Sequence, residues 1–149
     1  MNLTLRFAGN FAALDVLPLA FLFLLPIGAS PQTPQPPSRV IEIFADHDSR
    51  YRIAGQKHAE ITVKAGEELT LRITAKKAKN TNREGSIHGF TLLRAKDRTS
   101  VEGWDFPLKP GTQEFFVRTP QEPGEYVVIC TVICSEDHEG MTMRFVVLP

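Results

Sequence analysis

Apolar and polar residues alternate along several short segments of the chain. The clearest is the segment 69–75 (LTLRITA), in which every second residue is apolar and the residues between are threonine or arginine. A period of two is typical of a strand with one buried face. Similar runs predict further strands at 40–45, 50–53, 60–63, 88–93, 113–118, 125–129 and 142–148. Glycine and proline turns separate these runs, so the pattern predicts an all-β sandwich.

Composition limits the classes of function. The chain has 149 residues, of which 42% are hydrophobic, and this is enough for one globular core but short for a multidomain enzyme. The 17 Lys and Arg residues balance 17 Asp and Glu residues. A nucleic-acid partner is therefore not expected, because phosphate-reading domains carry a clustered excess of basic residues. The charged stretch 76–85 (KKAKNTNREG) predicts a solvated loop.

The first 38 residues differ from the rest of the chain. Arg6 precedes an apolar run at 16–29, and the proline-rich stretch SPQTPQPPS follows at 30–38. A basic head before a short apolar run is typical of an export signal, and the run is shorter than the ~20 residues that span a bilayer. The alternative is an uncleaved membrane tether through residues 11–29. We therefore expect a signal or anchor at 1–29, a linker at 30–38 and a domain at 39–149, located in the periplasm or at the outer face of the cytoplasmic membrane.

Four metal-binding side chains follow the strand predicted at 125–129: Cys130, Cys134, His138 and Met141. Thiolate and thioether sulfur favour copper, whereas a zinc site usually recruits more Cys or His and has little use for Met. His88, at the start of another predicted strand, offers a second imidazole. The alternative for an exported protein is a disulfide between the two cysteines. On an extended strand a spacing of four exceeds the usual ~7 Å bridging distance, but a turn would shorten it.

The donor set contains one thiol more than a mononuclear electron-transfer copper site needs, since two His, one Cys and an axial Met suffice there. Two thiolates that each bridge two copper ions would use every donor. Each ion would then take one imidazole, with the thioether on one ion and a loop carbonyl on the other. Sharing one electron over two metals changes bond lengths little on oxidation. The set therefore favours electron relay over catalysis, and no catalytic residue is expected.

The spacing C-x-x-x-C-x-x-x-H-x-x-M at 130–141 resembles the motif of the binuclear Cu-A centre in the periplasmic domain of cytochrome c oxidase subunit II. The similarity extends to residues 64–73, 87–90 (IHGF), 123–126 (PGEY) and 143–147. It implies a cupredoxin-like Greek-key β-sandwich or barrel that binds two copper ions. The implied ligands are the bridging Cys130 and Cys134, one imidazole each from His88 and His138, the weak ligand Met141 and the backbone carbonyl of Val132. Family members often have glycine where this chain has Ser135.

The resemblance implies electron transfer from a donor such as a c-type cytochrome towards a terminal oxidase. Two alternatives stay open: a periplasmic copper carrier or assembly protein, and the electron-entry subunit of a nitrous oxide reductase-like enzyme. Acidic residues surround His138, at Glu136, Asp137 and Glu139, and either attract a basic redox partner or are ordinary solvated charge. The remaining expectations are surface positions for His47 and His58, and core positions for Trp104, Phe106 and Met143.

Overall fold

The computed structural model of the protein describes residues 39–77 and 79–149, so the expected signal or anchor and the linker lie outside the described residues. The described part contains nine strands and a short 3-10 turn. No helix within it is long and apolar enough to cross a membrane. The elements are β1 (Arg39–Asp46), β2 (Arg50–Arg52), β3 (Glu60–Lys64), β4 (Glu68–Ala75), β5 (His88–Arg94), β6 (Ser100–Leu108), β7 (Gly111–Arg118), β8 (Gly124–Ile129), the 3-10 turn (His138–Gly140) and β9 (Thr142–Leu148).

The strands form two sheets. One sheet has the order β2-β1-β4-β7, and the other has the order β3-β9-β8-β5-β6. Both sheets are mixed, because β1 pairs with β4 and β3 pairs with β9 in parallel while the other pairs are antiparallel. The prediction of an all-β sandwich is confirmed.

The apolar residues of β4 lie in the core as predicted, although Thr70 on the other face is buried as well. Leu69, Leu71 and Ile73 are at most 1% exposed and belong to the hydrophobic core. On the outer face, Arg72 binds Glu42 of β1 at 2.9 Å and Glu114 of β7 at 2.7 Å. These exposed ion pairs hold register across three strands but add little stability, so burial of the apolar face holds β4 in place.

Strand β6 was not predicted, and its composition explains why. Gly103 and Pro107 interrupt its sequence, and both residues weaken the pattern of a regular strand. The structure accommodates them because β6 is an edge strand, where a proline need not donate a ladder hydrogen bond. Gly103 has a φ of +74°, in a stretch where the register between β5 and β6 shifts. Such a bulge escapes a search for period-two alternation.

Aromatic side chains connect the edge strands of the two sheets. Phe106 of β6 stacks on Phe115 of β7 with ring centroids 4.5 Å apart. Trp104 is 3% exposed, and its indole N–H donates to the Arg118 carbonyl at 3.1 Å. Trp104 and Met143 are buried as predicted, while Phe106 is half-buried against the core. His47 and His58 are exposed, also as predicted.

Candidate metal centre

Three strands of the larger sheet bring the predicted ligands to one end of the domain. His88 is the first residue of β5, Cys130 follows the last residue of β8, and Met141 precedes the first residue of β9. Strand β8 is antiparallel to both of its neighbours, and Ile129 pairs with Thr91 on one side and Thr142 on the other. The end of β8 therefore lies beside the starts of β5 and β9.

The side chains of His88, Cys130 and Cys134 form a compact buried cluster. Their potential ligand atoms all lie within 4.8 Å of one another. The two sulfurs are 3.8 Å apart, and both cysteines are free thiols. His88 and Cys134 have no exposed surface, and Cys130 is 6% exposed. A soft donor pair next to an imidazole fits a thiophilic metal ion such as copper.

A tight turn between the cysteines brings their sulfurs together. The Cys134 N–H donates to the Val132 carbonyl at 2.7 Å, so the chain does not continue as an extended strand. The same carbonyl oxygen lies 3.2 Å from the Cys130 sulfur, placing a main-chain oxygen beside the thiol pair. The Cys130 N–H donates to the Met141 carbonyl at 3.2 Å, and the Met141 side chain is fully buried.

His88 lacks the hydrogen bonds that a buried imidazole needs. Among the described residues, neither Nδ1 nor Nε2 has a hydrogen-bond partner, whereas most buried polar atoms in proteins have at least one. Burial lowers the pKa of His88 below its ordinary value of 6.5 and outweighs the Lys76 backbone and the Asp46 carboxylate, which both act to raise it. Asp46 is itself charged, because its hydrogen bond from His47 lowers its pKa to about 2. A neutral, unpartnered imidazole beside two thiols is the expected form of a ligand in a metal-free site.

Replacing His88 with leucine tests this interpretation in the metal-free protein. We expect His88→Leu to raise the free energy of unfolding at pH 7 by about 1 kcal/mol or more, since an unsatisfied polar group is removed. The lowered pKa of His88 means that the unfolded chain takes up a proton first as pH falls below 6.5. Wild-type stability therefore decreases below pH 6.5, and His88→Leu removes this contribution. Urea unfolding against pH measures both effects, with exposed His58→Gln as the control; a destabilised His88→Leu at pH 7 would contradict the interpretation.

Each cysteine sulfur also contacts one other polar group of the protein. The Gly89 N–H donates to the Cys130 sulfur at 3.3 Å, and the Ser49 hydroxyl lies 3.7 Å from the Cys134 sulfur. Burial raises the pKa of Cys130 to about 11, despite the hydrogen bond from Gly89. Cys130 is therefore a thiol at neutral pH, and it would have to release its proton to bind a metal ion.

His138 is not part of this cluster. It begins the 3-10 turn, is half-buried, and its Nδ1 is 3.0 Å from the Ser135 carbonyl oxygen. A carbonyl only accepts, so this contact requires a proton on Nδ1. The exposed acids Glu136, Asp137 and Glu139 flank it.

Several residues around the cluster were not singled out from the sequence. Tyr51 donates its hydroxyl to the Gly89 carbonyl, and the Asn80 N–H donates to the Cys134 carbonyl at 3.1 Å. Ser49 reaches Cys134 from 85 positions away in the chain. No local pattern marks such residues, because only the packing of the two sheets brings them to the site.

Comparison with known proteins identifies the fold. No protein-family model matches the chain, and no curated protein matches it in sequence. Among solved structures, auracyanin from Roseiflexus castenholzii matches at 19% identity with a TM-score of 0.51, covering 75% of this chain and 98% of that one. The domain has a cupredoxin fold. Auracyanin A from Chloroflexus aurantiacus, a blue copper protein, matches this cupredoxin domain at 20% identity and a TM-score of 0.50, covering 73% and 98%. Rusticyanin from Thiobacillus ferrooxidans matches at 14% identity with a TM-score of 0.51, and the match covers 73% of this chain and 76% of rusticyanin.

Proposed function

We propose that the domain binds two copper ions in a Cu-A-type centre and relays electrons outside the cytoplasm. The observation that supports this most directly is the pair of free, buried sulfurs 3.8 Å apart beside the unpartnered imidazole of His88. A single blue-type site needs one thiolate, so the second free thiol needs another explanation. A two-copper centre in which both thiolates are shared between the ions would use both cysteines.

The proposed ligands follow the motif and the geometry together. Cys130 and Cys134 would bind both ions, and the Val132 carbonyl already lies beside the Cys130 sulfur. His88 and His138 would bind one ion each, with the His138 ring moving towards the cluster, of which it is not part in the structure. Met141 would be the weak ligand. Copper bound there supplies a one-electron redox couple, and the protein contributes a rigid and largely dry enclosure for it.

Burial of the donors favours electron relay over copper carriage. A carrier hands its ion over by ligand exchange, which requires that an acceptor reach the donor atoms. Here Cys134, Met141 and His88 have no exposed surface. An electron can cross the protein around a buried centre, whereas an incoming ligand has little access to donors of which Cys130, at 6%, is the most exposed cysteine.

Copper retention distinguishes these two functions. We expect the copper-loaded protein to keep its copper for hours when mixed with an excess of a copper(I) chelator, while it still exchanges electrons with a small redox mediator within seconds. Absorbance of the chelator complex reports copper release, and stopped-flow absorbance reports electron exchange. Rapid surrender of copper to the chelator, with no reversible redox cycle, would favour a carrier instead.

The acidic residues around His138 form the proposed docking surface for a basic donor such as a c-type cytochrome. Neutralising Glu136→Gln and Asp137→Asn together is expected to lower the rate of electron transfer from the cytochrome at low salt by about tenfold and to flatten its salt dependence. Stopped-flow mixing from 10 to 300 mM salt measures the effect. This range spans the concentration of 0.1 M at which the Debye length is ~10 Å.

A matched control uses an acid far from the ligand loop. Glu102 is exposed on β6, towards the end where Ser100 pairs with Leu93, whereas His88 pairs with Leu108 at the opposite end. Glu102→Gln should leave the rate and its salt dependence unchanged. Equal salt dependence in the wild type and in the Glu136/Asp137 variant would refute the docking surface and leave these acids as solvated charge.

A further inference from the structure

Ser49 adopts a backbone conformation that is unfavourable for its residue type. In the described part of the chain, Ser49 (φ 58°) and Arg98 (φ 60°) are the non-glycine residues with positive φ. Arg98 is exposed, whereas Ser49 is 4% exposed and ends the turn between β1 and β2, where its N–H donates to the Asp46 carbonyl. Left-handed backbone costs free energy for residues with a Cβ, and such residues concentrate where the side chain has a role.

The Ser49 side chain connects two residues of the ligand loop. Its Oγ lies 3.7 Å from the Cys134 sulfur and 2.6 Å from the Ser135 Oγ. The Ser135 Oγ in turn accepts the Asp137 N–H at 3.1 Å. These contacts tie the turn after β1 to the segment that carries Cys134 and His138.

Counting protons gives the chain of hydroxyls a direction. With copper bound, Cys134 would be a thiolate that can only accept a hydrogen bond, so the single proton of Ser49 would then point to the sulfur. The short contact between the two serine oxygens then requires the Ser135 proton, which Ser135 can donate while its own oxygen accepts the Asp137 N–H. Every donor in the chain Ser135 to Ser49 to Cys134 is thereby used once.

We infer that Ser49, oriented by Ser135, is a positioning residue that donates a hydrogen bond to the Cys134 thiolate and raises the reduction potential of the copper centre. This inference rests on the proposed function. A hydrogen bond to a ligating sulfur withdraws electron density from the metal and favours its reduced state. Cys130 has a comparable donor in the Gly89 N–H, so the hydroxyl chain gives the second sulfur a donor as well.

The two serines are not part of the metal-binding motif. Glycine, frequent at the position of Ser135 in the family that the loop resembles, has no hydroxyl and cannot orient Ser49. Gly89 donates through its backbone, which substitution does not remove, whereas the Ser49 donor can be deleted by a single side-chain change.

The metal-free protein tests the contact between Ser49 and Cys134, in which either the hydroxyl or the thiol can donate. A double-mutant cycle combines Ser49→Ala, which keeps a Cβ at the same backbone position, with Cys134→Ala. We expect the two substitutions to be coupled, with an interaction that changes the folding equilibrium constant by about twofold or more. Urea unfolding of the four proteins measures it. Strictly additive effects would overturn the inferred contact, whether or not the protein binds copper.

The copper-loaded protein tests the consequence for redox chemistry. Ser49→Gly removes the hydroxyl and relieves the left-handed backbone, and Arg98→Gly relieves the same conformation at an exposed position. Both are expected to stabilise the backbone locally. Ser49→Gly alone should lower the reduction potential, changing the ratio of reduced to oxidised centre at a fixed solution potential by about fivefold, the scale of one net hydrogen bond. Ser135→Gly should move it in the same direction by less.

Spectroelectrochemistry with redox mediators gives the potentials, and the thiolate-to-copper absorption bands give an independent signature of sulfur bonding. An unchanged potential in Ser49→Gly, in a centre that still holds two copper ions, would overturn the inference and leave the proposed function intact. Failure of the wild type to bind two ions, together with a coupled Ser49 and Cys134 in the metal-free cycle, would instead refute the proposed function and leave only the contact between Ser49 and Cys134 standing.

Discussion

Replacement of Cys134 with serine is expected to abolish the two-copper centre. A hydroxyl oxygen is a poor ligand for copper(I) and does not bridge two ions as a thiolate does. Because the loss of partners that merely orient a ligand costs 10–100-fold in metal affinity, loss of this ligand should weaken the second copper by more than about 100-fold. Metal analysis after gel filtration of the reconstituted protein measures the bound copper per chain.

A buried methionine near the site provides the control for Cys134→Ser. Met143 lies two residues beyond Met141, is 2% exposed, and belongs to the core of β9. Met143→Leu conserves volume and should leave both copper ions bound. If Cys134→Ser kept two ions with the absorption of the wild type, Cys134 would not bridge them and the proposed ligand set would be wrong.

Gly89→Ala is expected to damage both the fold and the site. A Cβ at Gly89 would lie 2.4 Å from the Thr131 Oγ1 and 2.8 Å from the Thr131 backbone nitrogen, both closer than real Cβ contacts. The backbone nitrogen cannot swing away, so the loop that follows Cys130 must shift. We expect a loss of about 1–3 kcal/mol in the free energy of unfolding, the usual range for overpacking, and weaker copper binding because Thr131 adjoins Cys130.

The control for Gly89→Ala is Gly140, which ends the 3-10 turn of the ligand loop. A Cβ at Gly140 would meet no atom within 4 Å, and Gly140 is outside the left-handed region of backbone conformation. Gly140→Ala should therefore leave stability and copper binding close to those of the wild type. Urea unfolding and copper titration of both variants give the comparison, and equal stability of Gly89→Ala and Gly140→Ala would contradict the close approach of Thr131 to β5.

Local pattern was sufficient to predict most of the fold. The period of two in β4 predicted a strand with one buried face, and Leu69, Leu71 and Ile73 are buried accordingly. Strand β6 escaped prediction because Gly103 and Pro107 are tolerated only through its edge position and its bulge, and neither is visible before the sheet is assembled. Whether a strand lies at the edge or in the centre of a sheet is decided by how strands pair across the whole sheet, which its own sequence does not show.

The candidate site divides in the same way. Cys130, Cys134, His138 and Met141 lie in one loop, so their spacing alone carried the chemical argument. His88 was added by its place at the start of a strand and by the resemblance. Ser49 could not be identified in advance, since its contact with Cys134 depends on a turn of the other sheet reaching the ligand loop. The lack of space for a Cβ at Gly89 also depends on packing, because Thr131 of the ligand loop lies against it.

The most direct test of the central claim is electron paramagnetic resonance of the copper-reconstituted protein, combined with copper analysis. We expect two copper ions per chain and one unpaired electron shared equally between them, seen as a seven-line hyperfine pattern from two copper nuclei. One copper per chain with a four-line pattern, or copper-free protein in which Cys130 and Cys134 have formed a disulfide, would contradict the binuclear centre.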